Sequence, residues 1–289
     1  MKKFAILLNI VALSAVAAPM SQKVIYGNDD RVDVYESTRP DFIELSKSTA
    51  AMIQKRKLSK VGDIYKVDQI ITLKTGKRVC ENERFKDQPT VASCSAFLVG
   101  DRHLVTAGHC VDSQYKCNDN LFVFDYKMKN KDEATVEFPA SNVYKCKSVL
   151  SHKLTKRPNK DYALIELDRP VVGREALKFR RRGRVQKGTE LVVIGHPSGL
   201  PTKISDGASV TKRKRNFFMA NLDTYGGNSG SAVFNVATGE VEGILVRGER
   251  DYIRRNGCTE SNRIADDAED SGESVTYISR VKGLRKLNN

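Results

Sequence analysis

From Thr72 onward the chain is a succession of short runs rich in Val, Ile, Phe and Tyr, and this pattern limits the fold more than any other feature. The runs lie at 95–99, 121–126, 143–149, 162–167, 190–194, 217–221, 232–236 and 241–246, and clusters of Gly, Pro, Asn, Asp and Lys separate them. Many short strands with turn signals between them predict an all-β sandwich or barrel. Long amphipathic helices are missing from the middle. Residues 42–54 have helical spacing behind an N-cap candidate, Asp41. Residues 277–287 predict a closing C-terminal helix, with Arg and Lys toward its end where the helix dipole favours cations. The stretch 170–187, poor in strand signal and rich in Arg and Gly, reads as the connection between two β halves. The expected division is 18–64 as an N-terminal segment, 65–172 as a first β unit and 173–289 as a second with the helix.

The first residues predict export. Met1, Lys2 and Lys3 make a cationic start, an apolar run follows to Ala18, and Ala15 and Ala17 give a small-x-small cleavage pattern. These are the marks of a signal peptide over 1–17, which implies a secreted or periplasmic protein. No later apolar run is long enough for a membrane span. Six cysteines, at 80, 94, 110, 117, 146 and 258, read as disulfides in an exported chain, and the absence of a CxxC pair argues against zinc.

The formal net charge of +14 describes either a well-solvated surface or a basic face for polyanions. Arg180-Arg181-Arg182-Gly183-Arg184 and Lys212-Arg213-Lys214-Arg215 would carry such a face. No nucleic acid is expected as a partner, because no recognition-helix pattern or aromatic interleaving accompanies the charge. The acidic stretch 266–270 is a loose calcium candidate and otherwise a solvated loop.

Three segments can do chemistry together. They are Thr106-Ala107-Gly108-His109-Cys110, Asn159-Lys160-Asp161-Tyr162-Ala163-Leu164-Ile165 and Gly226-Gly227-Asn228-Ser229-Gly230-Ser231. Alone, each has a plain structural meaning: a histidine beside a disulfide, a turn aspartate, a flexible Gly-Ser loop. As a set they supply a nucleophile, a base and an orienting carboxylate. A serine hydroxyl needs an adjacent base to attack at neutral pH. Imidazole suits that role because its ordinary pKa, about 6.5, lies near the working pH. A buried carboxylate then holds the other ring nitrogen as N–H. Glycines beside the serine let the amides of Gly227 and Ser229 converge on one point as an oxyanion hole. This chemistry needs no cofactor and no metal. His196, in a Gly-His-Pro-Ser-Gly turn, reads as structural, and His103 and His152 as surface or loop residues.

These segments, in the order His109, Asp161, Ser229, resemble the trypsin-like serine peptidase superfamily. The resemblance covers roughly residues 65–285. It implies two packed six-stranded antiparallel barrels, a catalytic cleft between them, and protein or peptide substrates. It also implies a Cys94–Cys110 disulfide; Cys117–Cys146 and Cys80–Cys258 are the pairings favoured for the rest. The segment from Asp223 to Asn235 is similar to the bacterial glutamyl-endopeptidase-like branch, as is Val24-Ile25-Tyr26-Gly27-Asn28-Asp29-Asp30-Arg31. The latter looks like a mature N-terminus, so a short propeptide ending at Lys23 is expected.

Two departures shape the expected specificity. Asn228 stands where animal trypsin-like enzymes carry the Asp that receives the new N-terminus. Leu245 occupies the strand where the glutamate-specific branch carries a histidine, and all four histidines precede Ser229. Asp223, six residues before Ser229, sits where trypsin-type enzymes place a pocket carboxylate for Arg or Lys. Thr224, Val246, Arg247 and Gly248 would line the same pocket. Alternatively, Arg247 neutralises Asp223 and attracts an acidic side chain, or Asp223 is a turn residue facing solvent. The competing functional expectation is a non-catalytic polyanion-binding protein on the same fold.

Overall fold

The computed structural model describes residues 25–155, 159–248, 251–264 and 272–287. The expected signal peptide, the Lys23 processing site and the acidic stretch 266–270 lie outside the described residues. Among those residues, no helix is long and apolar enough to cross a membrane.

Six strands form the first barrel: β1 (Thr49–Gln54), β2 (Cys94–Gly100), β3 (His103–Thr106), β4 (Asn120–Phe124), β5 (Val143–Thr155) and β6 (Lys160–Leu167). They close in the order β5-β6-β3-β2-β1-β4, with every pairing antiparallel. Closure removes the open edges that a sheet of this size would otherwise expose. The second barrel uses β7 (Glu190–Gly195), β8 (Lys203–Arg213), β9 (Phe217–Ala220), β10 (Ala232–Asn235), β11 (Val241–Arg247) and β12 (Glu273–Tyr277). Its order is β7-β10-β11-β12-β9-β8, and a β7–β8 pairing completes the ring. The expected two six-stranded barrels are therefore present.

One apolar cluster joins the two rings. Phe97, Leu104 and Phe122 of the first barrel belong to the same buried group as Ile194, Phe234 and Ile244 of the second. This explains why β2 and β4 read as continuous apolar runs: both faces are covered, so strict alternation is not required.

Two expectations fail for physical reasons. The helix expected over 42–54 stops early. It spans Pro40–Ser46 and starts from Arg39, while Asp41 lies inside it and pairs with Arg39. Thr49–Gln54 is instead a barrel strand between β2 and β4, so the first barrel begins at Thr49, not at residue 65. Ladder hydrogen bonds and burial on both sides outweigh a weak helical spacing. The C-terminal helix is also absent. Tyr277 ends β12, and only the 3-10 turns Ile278–Arg280 and Leu284–Lys286 follow. Gly283, at φ +91°, separates the turns in a left-handed conformation that no continuing helix contains.

All six cysteines are bridged, as Cys94–Cys110, Cys117–Cys146 and Cys80–Cys258. The last spans 178 residues of sequence. In the chain-entropy model a loop this long contributes about 5 kcal/mol. Before the first barrel, Arg31–Asp33 adds an antiparallel strand to β8, and Ile25–Tyr26 pairs in parallel with Arg263–Ile264.

Candidate active site

His109 leaves β3 through a tight turn that Cys110 closes by its bridge to Cys94. Gly108 precedes it because the backbone of β5 lies too near for a side chain: a Cβ there would fall 2.5 Å from the Lys153 carbonyl oxygen. Asp161 is the second residue of β6 and is buried. Both of its carboxylate oxygens serve His109. Oδ1 accepts the His109 backbone N–H at 3.1 Å, and Oδ2 lies 2.9 Å from Nδ1. A buried carboxylate on Nδ1 fixes the proton there and leaves Nε2 for the cleft.

Ser229 lies in the turn between β9 and β10, and its backbone is anchored to the other barrel. The Ser229 carbonyl accepts the Ser95 N–H of β2 at 2.8 Å. Ser95 Oγ donates to the Gly227 carbonyl at 3.0 Å and accepts the His196 N–H at 3.0 Å. A single small polar side chain in an otherwise apolar strand thus ties the Ser229 loop to the first barrel. Asn228 is buried, with its N–H on the Tyr225 carbonyl at 2.9 Å and its Oδ1 3.2 Å from Ser231 Oγ. Local hydrogen bonds therefore hold position 228.

The amide of Gly227 is oriented from behind. The Gly226 carbonyl accepts the Ser198 N–H at 2.6 Å. In a trans peptide C=O and N–H point in opposite directions, so the Gly227 N–H is turned away from Ser198. Gly227 has φ +102°, and a Cβ on it would lie 2.5 Å from the His196 carbonyl oxygen. Only glycine meets both conditions.

His109, Asp161 and Ser229 line one cleft of about 430 Å³. Leu154 of β5 overhangs it, and Thr224, Val246, Arg247 and Gly248 form part of its wall, where sequence placed them. Asp223 requires a correction, because it does not line the cleft. Its carboxylate faces backward and accepts the backbone N–H groups of Tyr26 at 2.8 Å and Asp30 at 2.9 Å. Burial pushes its carboxyl up to about 7, against the pull of those two donors. Asp223 is a clamp on the segment after residue 24, and that occupation displaces both of its anticipated pocket roles. Arg247 turns toward Asp161, with Nη2 at 3.9 Å from Asp161 Oδ2 and Nη1 at 3.4 Å from Asn159 Oδ1.

Sequence reasoning missed Ser95, Ser198, Asp251 and Glu273. Asp251 Oδ2 accepts the Gly226 N–H at 2.8 Å, and Glu273 lies in the wall beside Gly248. The legible signal was a lone Ser within the apolar β2 run; the two acids carry no local mark. Tyr225, also in the wall, is backed by the buried Arg31 guanidinium 4.2 Å from its ring, which Asp29 grips at 2.8 and 2.7 Å. His196 is fully buried and stacked on Tyr126 at 5.6 Å between ring centroids, in keeping with a structural role.

A glutamyl endopeptidase of Bacillus licheniformis is 26% identical over 153 residues, which is 50% of this chain and 46% of that protein. The chain thus spans less than half the length of the curated relative it matches. Among solved structures, a Glu endopeptidase in complex with MPD is 16% identical, with a TM-score of 0.50 over 91% of this chain and 96% of that one. The human heparin binding protein is 13% identical, with a TM-score of 0.51 over 88% and 92%. These structures share the fold. The family model described as a trypsin-like peptidase domain matches residues 94–244, just over half of the 289 residues, and the chain belongs to that family.

Proposed function

We propose that the chain is an exported serine endopeptidase acting through an acyl-enzyme on Ser229. The reading rests on one observation above all: a buried carboxylate directs both oxygens at His109 in the cleft that holds Ser229. In this reading Ser229 Oγ attacks the scissile carbonyl while His109 Nε2 takes its proton. The amides of Gly227 and Ser229 receive the charge on the carbonyl oxygen. Collapse of the tetrahedral intermediate breaks the C–N bond, and His109 returns the proton to the leaving amine. Water then repeats the sequence on the ester. Asp161 stays ionised throughout and stabilises the imidazolium.

An organophosphorus fluoridate tests this directly. One label per chain on Ser229, absent in Ser229→Ala, is expected, together with loss of peptide cleavage in the variant. An unlabelled wild type sinks the proposal. Cleavage after Arg or Lys is the preference we assign, although Asp223 cannot supply it.

The basic surface has its own support. Arg184 and Lys187 meet Lys212, Arg213, Lys214 and Arg215 in a groove of about 480 Å³. The run 180–184 is divided: Arg180 is spent on Glu242 at 2.6 Å, and Arg181 lies over Phe179. A polyanionic surface is therefore a second partner in this reading, held by the groove and released by salt. Retention on a heparin column that survives replacement of residues 212–215 by Ser would remove it.

A further inference from the structure

The turn that carries the Gly227 amide is not rigid by composition. The peptide joining Gly226 to Gly227 has glycine on both sides, and glycine accepts φ of either sign at little cost. Turned over, that peptide would present the Gly226 carbonyl to the cleft and withdraw the Gly227 N–H. Its orientation therefore has to be enforced from outside the turn.

A hairpin in the cleft wall does this from two sides. Tyr252–Arg255 pairs antiparallel with Cys258–Ser261, and the Asn262 N–H closes the base on the Asp251 carbonyl at 3.2 Å. The Asp251 carboxylate accepts the Gly226 N–H at 2.8 Å. A Cβ on Gly226 would lie 2.9 Å from the same oxygen, so the carboxylate reaches the amide because no side chain is there. The carbonyl of Gly226 is held through Ser198. The Ser198 N–H donates to it at 2.6 Å, and Ser198 Oγ lies 2.7 Å from the Tyr252 hydroxyl. Ser198 has φ +55°, a left-handed conformation that favours glycine. A strained residue persists where its surroundings hold it, and here the hydroxyl has a partner that glycine would forgo. Two adjacent residues, 251 and 252, thus fix both polar groups of Gly226.

The hairpin is itself anchored away from the cleft. Cys258 is bridged to Cys80, the Thr259 N–H donates to the Arg78 carbonyl at 2.9 Å, and the Cys80 N–H donates to the Thr259 carbonyl at 2.8 Å. The Tyr252 ring packs on Tyr225, with centroids 5.0 Å apart. The support does not ride with the turn it braces.

We propose that Asp251 and Tyr252 are positioning residues that keep the Gly227 N–H aimed at the oxyanion. Donors fixed in advance need no reorganisation when charge develops, so the gain falls on the transition state and not on substrate binding. The proposal rests on the reading of Ser229 as nucleophile, and the test separates the two.

Fluoridate labelling of the wild type comes first, and the labelled fraction of each variant then counts its active sites. An unlabelled wild type takes down both readings. With a labelled wild type, Asp251→Ala and Tyr252→Phe should each lower kcat per titrated serine about tenfold, and the double variant about 100-fold, the scale of one oxyanion donor, with KM within about twofold. A peptide library read by mass spectrometry should show the same cleavage sites, all slowed alike. Asp251→Asn, which keeps a side-chain oxygen for the Gly226 N–H, should recover most of the loss. Tyr252→Phe keeps the ring on Tyr225 and removes only the hydroxyl, so it carries the test if Asp251→Ala does not fold. Unchanged kcat in either single variant, or Asp251→Asn as slow as Asp251→Ala, overturns the proposal and leaves the nucleophile intact. A changed set of cleavage sites, or a raised KM with kcat unchanged, overturns it as well, because a wall residue that contacts substrate would behave that way.

Discussion

The two barrels have the same strand count and closure but assemble their parts of the site differently. The first supplies His109 and Asp161 from strands that are neighbours in one sheet, where β3 and β6 pair at Thr106 and Ala163. Its contribution is short-range and completed by a local disulfide. The second supplies Ser229 and most of the pocket wall, and draws on distant sequence to do so. Asp223 is clamped to Tyr26, 197 positions away, and Ser261 interacts with both Glu83 and Tyr225. The His109–Asp161 pair is built within one sheet, and the rest of the cleft by contacts between distant segments.

The largest expected effect tests the local half. Asp161→Asn should lower kcat by about 10,000-fold, because an amide in place of the carboxylate sets the wrong imidazole tautomer. Burst kinetics with an activated ester would measure it, and a loss under tenfold would mean that Asp161 does not orient His109. Gly227→Ala comes next. It forces a side chain into φ +102° against the His196 carbonyl and should cost about 100- to 1,000-fold in kcat with KM little changed.

The long-range half should respond in stability. Asp223→Ala takes the carboxylate acceptor from the buried Tyr26 N–H and the part-buried Asp30 N–H. A loss of about 2–3 kcal/mol in denaturant unfolding is expected, with the cleavage preference unchanged. A changed preference with intact stability would restore Asp223 as a pocket residue and erase the contrast between the barrels.

The most gradual effect, spread over several pH units, lies at His196. Burial lowers the pKa of His196 to about 3, while in the unfolded chain it titrates near its ordinary value of about 6.5. The unfolded state therefore binds more protons between those values, and stability must fall as pH drops through that window. The contribution of this group is up to about 1.4 kcal/mol per pH unit. His196→Gln should make the acid limb of a stability–pH curve shallower by that amount.

The contrast explains what could be read in advance. The barrels were legible because short apolar runs between turn residues have few other solutions. His109, Asp161 and Ser229 were legible because each sits in a segment whose neighbours serve the same turn or strand. Asp223 misled because an offset of six residues from Ser229 locates the backbone but not the partner of the carboxylate. That partner, the Tyr26 and Asp30 amides, is not in the neighbouring sequence. Thr49–Gln54 was misread because its spacing suits a helix, and only the flanking strands β2 and β4 make it a strand. Glu273 was invisible for the same reason as the Asp223 clamp: its place is set by Gly248, just past the end of β11.

The pairing of Ile25–Tyr26 with Arg263–Ile264, and the place of Glu273 on β12, bear on synthesis. A nascent polypeptide that has emerged only through the first barrel holds His109 and Asp161 without Ser229. The cleft wall is complete only after nearly the whole length has left the ribosome. A copy that ends before β12 therefore lacks part of the cleft wall and a strand that the second barrel needs to close.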